Sequence, residues 1–536
     1  MALYINYTFT HNYNFTIYYS SCIKHSENRY IRYCLMGKIS FCLTLGILLL
    51  LAIISLRTVL IFDYQQNVIP CSPQEGTDYI SVNSSHLKRF QEAIKVPSIS
   101  YSIHNSNRTA LKMLLDQIKI SYPVIHSSPF VTMESFNLST LYIVKGTENS
   151  VKPILLAGHI DVVPAKFEKW SFSPFSGYND GLAIFGRGTL DNKNTVFGIL
   201  EALEHFLQSG KQPKRSIFIA IGHDEEVAGH YGAKAITKEL EKRKIRFSFM
   251  MDEGCPVLQK GSFPGYDGPV GLVCTAEKGY LTMKLSVEHT GGHASTPPKE
   301  GGAINIISDA IQRLHNNPLP SLFGEGVEVP MFEHAAKSQS FIFRVISSNL
   351  WFFGPVLSMI MSLKDATRAQ ITTTFAFTQI SGGIKENVLP NSASVIINCR
   401  PLPGHSIHSV IDHVSRVINN PKIRIDILDE KEPSLISSTV SEGYNVIHHT
   451  IKQIFPESIV VPGLLIGGTD SKYYGDLCDD VYRFAPSYLK PDDIKRIHGH
   501  DEMITIKNYE QTINFFHHLL VNVGNSFEHF PSHDEL

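Results

Sequence analysis

Very little in this chain marks a partner by charge. Its 48 lysines and arginines against 50 acids leave a formal charge of −2, without the basic surplus that nucleic-acid binding rewards through counterion release. Nucleic acid therefore has no footing as a partner. Cysteine is sparse and scattered, eight in 536 residues, with no CxxC pair and no short even spacing. That excludes a zinc knuckle and a disulfide framework. Cys71, Cys255, Cys274, Cys399 and Cys478 follow the apolar segment described below, and an odd number leaves at least one thiol without an intrachain partner. Low-complexity tracts and solenoid-period repeats are missing too, which excludes long disorder and repeat architectures. What remains is a globular composition, 43% hydrophobic and 18% charged, in a chain longer than the usual single-domain ceiling. Two folded units, or one domain carrying a large insertion, are expected. Histidine is unusually frequent at 24, enough for a few to serve as metal ligands while most are exposed or structural.

The two ends carry addressing signals. From Ile39 to Leu56 the sequence has no charge and is rich in Leu and Ile, about the length that crosses a hydrocarbon core as a helix. Lys24, Arg29, Arg32 and Lys38 precede it and only Arg57 follows closely, which favours a cytoplasmic N-terminus and a lumenal or extracellular body, a type II topology. The competing reading is a cleaved signal peptide starting near Met36, leading to a secreted protein. Acceptor sequons at Asn83, Asn107 and Asn137 lie beyond the segment. The last four residues, His533, Asp534, Glu535 and Leu536, spell an ER-retrieval signal, so residence in the endoplasmic reticulum lumen is expected.

Between the ends, apolar β-rich runs alternate with helical patterns over residues 79 to about 275, which indicates an α/β fold. From about 280 to 400 the pattern changes to that of an α+β insertion, after which the α/β pattern resumes. The expected organisation is an N-terminal tail (1–38), a signal anchor or signal peptide (39–62), a linker (63–78), a first catalytic part (79–280), an inserted lid or dimerisation domain (281–400), a second catalytic part (401–530) and a tail (531–536). Within the insertion, Phe341 to Phe343, Val345, Ile346 and Leu350 to Phe353 form an aromatic-rich apolar run. Such a run packs in a core or dimer interface, or else presents a greasy surface to an acyl chain or a membrane.

Five segments place oxygen and nitrogen donors where strands end and loops begin. The first, Gly-His159-Ile-Asp161, follows an apolar run; on a strand His159 and Asp161 share a face, so the acid can accept the second imidazole N–H. A glycine-rich turn delivers Asp191 just before a helical pattern, where a lone Asp would otherwise be an N-cap. Glu225 and Glu226 follow the apolar run Ser-Ile-Phe-Ile-Ala-Ile-Gly; adjacent acids repel, but at a metal site one can bind the ion while the other moves protons. Asp252 ends another apolar run, and Arg-Ile-His498-Gly-His500-Asp-Glu502 is the fifth segment.

Gly-Arg-Gly-Thr-Leu-Asp-Asn-Lys-Asn, Gly-His-Asp-Glu-Glu, Ser-Gly-Gly-Ile-Lys-Glu-Asn-Val-Leu-Pro and Lys-Arg-Ile-His-Gly together make the chain, over roughly residues 80 to 525, resemble the aminoacylase and carboxypeptidase S family of metallopeptidases. The resemblance implies a di-zinc exopeptidase-like α/β catalytic domain with an inserted α+β lid. It implies that His159, Asp191 and Asp252 hold one zinc and Asp191, Glu226 and His498 the other, with Asp191 bridging. Asp161 would orient His159, and Glu225 would be the general base. His293 would stabilise the oxyanion, commonly across a homodimer, while Asn387 and Arg400 would contact the substrate. The implied reaction is hydrolysis, or formation in reverse, of the amide bond of an N-acyl amino acid, in particular an N-fatty-acyl one; the alternative is a carboxypeptidase S-like peptidase acting on dipeptides or short peptides. Two departures stand out: Asn192 replaces a second Asp that the family commonly has, and His500 could compete with His498.

Overall fold

The computed structural model describes residues 15–73 and 78–525, with side chains from Met36 onward; the C-terminal His-Asp-Glu-Leu sequence lies outside the described residues. The chain divides into two units at Ile61 and Phe62. In the first, the helix Phe15–Leu60 contains a stretch, Lys38–Leu60, long and apolar enough to cross a membrane.

The second unit is built on an eight-stranded mixed sheet. Its spatial order is Ile459–Leu465, Val270–Glu277, Cys478–Leu489, Phe247–Leu258, Ile154–His159, Ile217–Gly222, Ser139–Val144 and Val131–Phe136. The central strands Cys478–Leu489, Phe247–Leu258, Ile154–His159 and Ile217–Gly222 are mutually parallel. Ile154–His159 and Ile217–Gly222 are buried along their whole length, which explains why both read as continuous apolar runs rather than as alternation. Val131–Phe136 and Ser139–Val144 add antiparallel strands at one edge. The helices Lys193–Gln208 and Ile506–Asn525 pack closely enough that a Cβ at Gly198 would stand 2.6 Å from Thr512 Cγ2, so the contact needs a residue without a side chain.

A separate four-stranded antiparallel sheet has the order Thr374–Gly382, Ser392–Arg400, Tyr280–Glu288 and Ile423–Lys431. Leu281, Met283, Leu285 and Val287 alternate into a core shared with the helices Ala303–Asn316 and Ile407–Ile418. This second sheet therefore takes in Ile423–Lys431, beyond residue 400 where the sequence reading ended the insertion. A strand added after a helical stretch pairs by its register, which composition alone does not reveal.

Candidate metal centre

Each polar side chain of interest sits where a buried element runs out. His159 closes its strand, Asp191 stands between a glycine-rich turn and the helix Lys193–Gln208, and Glu225 and Glu226 open the short turn Glu225–Val227 after Ile217–Gly222. His498, in the loop before Met503–Thr505, has the positive φ of 58° that lets a tight loop turn its imidazole inward.

These groups meet at one place. Asp191 directs one carboxylate oxygen to each histidine: Oδ1 lies 3.1 Å from His159 Nε2 and Oδ2 lies 3.0 Å from His498 Nε2. His498 Nε2 is also 3.2 Å from Glu226 Oε2. His159, Asp191 and Glu226 bring ligand atoms within 4.8 Å of one another, and so do His159, Glu225 and Glu253. Behind His159, Nδ1 lies 3.0 Å from the Asp161 carbonyl oxygen and 3.3 Å from its Oδ1. The same Asp161 carboxylate accepts the backbone N–H of Glu225 at 3.1 Å and of Glu226 at 3.3 Å, tying the two strand ends together. His498 and His500 are both exposed, and of the two it is His498 whose imidazole reaches Asp191 and Glu226.

Among the described residues, Asp252 is not in the groups whose ligand atoms lie within 4.8 Å of one another. Its Oδ2 accepts the Ser471 N–H at 2.8 Å and its Oδ1 the Glu253 N–H at 2.9 Å, one backbone partner for each oxygen. Its neighbour Glu253 instead comes within 3.4 Å of His159 Nε2. The pairing with Cys478–Leu489 shifts register between Asp252 and Cys255, so simple alternation does not decide which of the two acids faces the histidine. Asn192 donates a short hydrogen bond to Glu253. An ionised aspartate there could not do so, which gives the Asn192 departure a physical role.

Sequence reasoning also assigned no role to Glu502, although it ends the fifth segment. It is fully buried. Its Oε1 accepts backbone N–H groups from Gly188 at 3.0 Å, Leu190 at 2.8 Å and Asp191 at 3.3 Å, and its Oε2 takes Arg187 Nη1 at 2.6 Å. Arg187 in turn donates to the Gly499 carbonyl at 2.9 Å. One acid thereby fastens the Asp191 turn to the His498 loop.

So many acids in one place disturb one another's protonation. Burial pushes Glu225 well above the usual carboxylate range; nearby Glu253, Asp470 and Glu226 add to the rise and His159 opposes it. Burial likewise pushes Glu253 up to about 7, with His159 opposing and Asp191 reinforcing. Although burial opposes it, the hydrogen bonds from His159 and His498 hold Asp191 below its ordinary value. Hydrogen bonds to Asp191 and Glu226 raise His498 to about 10. Glu226 Oε1 is buried with no hydrogen-bond partner among the described residues. An orphaned acceptor, and imidazoles converging on carboxylates, form a donor set suited to divalent cations of the zinc type.

The lid positions stand outside this cluster. His293 pairs with Val388 on a two-stranded ribbon, with its Nδ1 2.7 Å from Ser295 Oγ, and the Ala294 N–H bonds the Asn387 carbonyl beside it. Arg400 ends its strand with its guanidinium 4.9 Å from the centre of the Tyr280 ring, and a Cβ on Gly468 would lie 3.8 Å from its Nη1. It thus approaches a glycine turn that follows the strand Ile459–Leu465.

A mixed sheet whose strand ends gather histidines and acids at one point, with a second sheet inserted, has the donor set of a metal-dependent enzyme. A family model described as peptidase family M20/M25/M40 matches residues 155–522, and the chain belongs to that family. It is 39% identical over 438 residues to the N-fatty-acyl-amino acid synthase/hydrolase PM20D1 of Xenopus tropicalis, covering 81% of this chain and 85% of that one. It is also 39% identical over 487 residues to a probable carboxypeptidase S-like 2 of Dictyostelium discoideum, covering 90% and 92%. In fold it matches an M20 family metallo-carboxypeptidase from Sulfolobus solfataricus with a TM-score of 0.60 at 16% identity, covering 83% of this chain and all of that one.

Proposed function

We propose that the chain is a two-zinc amidohydrolase that cleaves, and in reverse forms, the amide bond of N-acyl amino acids, with N-fatty-acyl amino acids as the preferred class. The observation that carries this reading is the Asp191 carboxylate standing between His159 and His498 with one oxygen turned to each. His159, Asp191 and Glu253 would hold one ion and Asp191, Glu226 and His498 the other, Glu253 replacing Asp252 in the first set. When bound, such a pair supplies Lewis-acid polarisation of the scissile carbonyl and a lower pKa for the attacking water.

The remaining work falls to the chain. Asp161 accepts from His159 Nδ1 and so keeps Nε2 free for the ion. Glu225 takes the proton of the attacking water and returns it to the leaving amine, a transfer worth about 10² to 10⁴ in rate. From the lid, His293 stabilises charge developing on the carbonyl oxygen, while Asn387 and Arg400 hold the carbonyl and carboxylate of the amino acid. His293 acts across a homodimer. A carboxypeptidase S-like peptidase is the second reading, favoured by the equal identity and longer match to the Dictyostelium relative.

Zinc analysis of the purified protein combined with an assay of N-oleoyl amino acids against unblocked dipeptides tests both. Turnover of the first panel supports the main reading, turnover of dipeptides alone supports the second, and a zinc-loaded protein that cleaves neither refutes both. Residence in the lumen of the endoplasmic reticulum, anchored by Lys38–Leu60, completes the proposal. Redistribution on deletion of Leu536 would support retrieval, and an unchanged distribution would remove it.

A further inference from the structure

The apolar run inside the insertion folds as two short helices, Phe341–Ser347 and Leu350–Met361, meeting at 103°. One side of the second helix is used in the ordinary way: Leu350, Leu357 and Met361 pack on a core that includes Phe332 and Phe323. The other side is just as apolar and is bare. Phe341 is 73% exposed, Trp351 53% and Leu363 79%, with Ile342, Phe352 and Met359 also exposed. A helix apolar all round belongs in an apolar surrounding, and exposed apolar surface of this kind marks an interaction surface.

The geometry points to a lipid bilayer as the occupant, the helix pair lying in the plane of the interface with its bare side among the upper acyl chains. Three observations select this partner. From Val345 to Leu363 there is no charged residue, and Lys337 and Lys364 border the run; Arg344 is turned onto the carbonyls of Lys337 and Gln339, and Arg368 pairs with Asp365. That distribution matches an apolar layer bordered by polar headgroups, and Trp351 is the side chain favoured at that boundary. Spanning is ruled out, because the helices have 7 and 12 residues, too short for the roughly 20 that a crossing needs, and the chain returns to the folded body on both sides. In sequence Gln65 follows the apolar stretch Lys38–Leu60 by five residues, and it is bonded to the carbonyls of His334 and Val460 at 3.0 and 3.1 Å. His334 precedes Phe341 by only seven residues. The inference does not depend on which amide is the substrate.

Only two tryptophans occur in the chain, Trp170 and Trp351, which makes the test direct. The full chain is reconstituted in phosphatidylcholine/phosphatidylserine vesicles carrying nitroxide-labelled phosphatidylcholine. Trp351 should lose most of its emission, more with the label high on the acyl chain than at its end, as expected for insertion about 5–10 Å deep. The difference between the native chain and Trp351→Phe isolates this signal from Trp170. Equal quenching in the two proteins would overturn the proposal. So would a Trp351 signal indifferent to the nitroxide but shielded as protein concentration rises, which would assign the surface to a second copy of the chain.

Discussion

At the scale of single residues, the site turns on which acid carries a proton and which faces the ions. Glu225→Gln keeps the size and hydrogen bonding of the proposed base but cannot accept a proton, so metal content should stay normal while kcat falls by about 10² to 10⁴. Metal analysis and steady-state kinetics check this; near-native turnover would remove Glu225 from the chemistry. Asp252 and Glu253 separate by a different pair of measurements. Glu253→Ala should lower bound zinc, whereas Asp252→Ala should leave zinc in place and cost about 1–3 kcal/mol of stability by stranding the Ser471 and Glu253 N–H groups. Zinc loss in Asp252→Ala with retention in Glu253→Ala would restore the original assignment. His498 gives the pH dependence. Its pKa rises from 6.5 to about 10 in the metal-free fold, so its pairing with Asp191 and Glu226 is fully present below pH 6.5 and fades as pH climbs through 10. Between those limits an incoming ion must displace a proton, so zinc binding should tighten as pH rises. Calorimetric titration in two buffers of different ionisation enthalpy should register proton release, and identical heats would contradict it. The candidates that stand out in the sequence are those where a long apolar run stops at a polar side chain, as at His159 and Glu226, and the structure brings these two into one cluster. Which of Asp252 and Glu253 faces His159 is not legible in the motif, because the strand shifts its pairing register at that point and no local pattern records such a shift.

At the scale of elements, the turn before Lys193–Gln208 and the loop holding His498 behave as one part because Glu502 joins them. Glu502→Gln retains shape but weakens the grip on three backbone amides and Arg187, so zinc affinity should fall about 10- to 100-fold with little change in melting of the zinc-loaded protein. A competition titration against a chelating dye measures it, and native affinity would show that the loop holds its place unaided. Glu502 is fully buried, yet in sequence it follows two histidines and an aspartate in a polar stretch that looks solvated. Its partners are more than three hundred positions earlier, a distance over which local pattern is silent. The buried strands, by contrast, announced themselves: Ile154–His159 and Ile217–Gly222 have no exposed face to interrupt the apolar run.

At the scale of the whole molecule, ions that bind only where distant segments meet must stabilise the assembled fold by mass action. Chelation should lower the melting temperature, and zinc should restore it in a concentration-dependent way; an unchanged transition would mean that the segments converge without the ions. The fold class was readable from the alternation of helical and strand periods. The reach of the second sheet to Lys431 was not, since it depends on a strand pairing back across a helix.

The strand Cys478–Leu489 lies between Phe247–Leu258 and Val270–Glu277, both made some two hundred residues earlier. On the ribosome, then, the sheet must wait with a slot in its middle until nearly the entire polypeptide has emerged. At about 5–20 residues per second that interval lasts on the order of ten seconds or more, during which unpaired edges stand open to wrong partners. Newly made chains of this protein should accordingly depend on chaperone holding late in synthesis, and fragments stopping short of this segment should be cleared rather than accumulate.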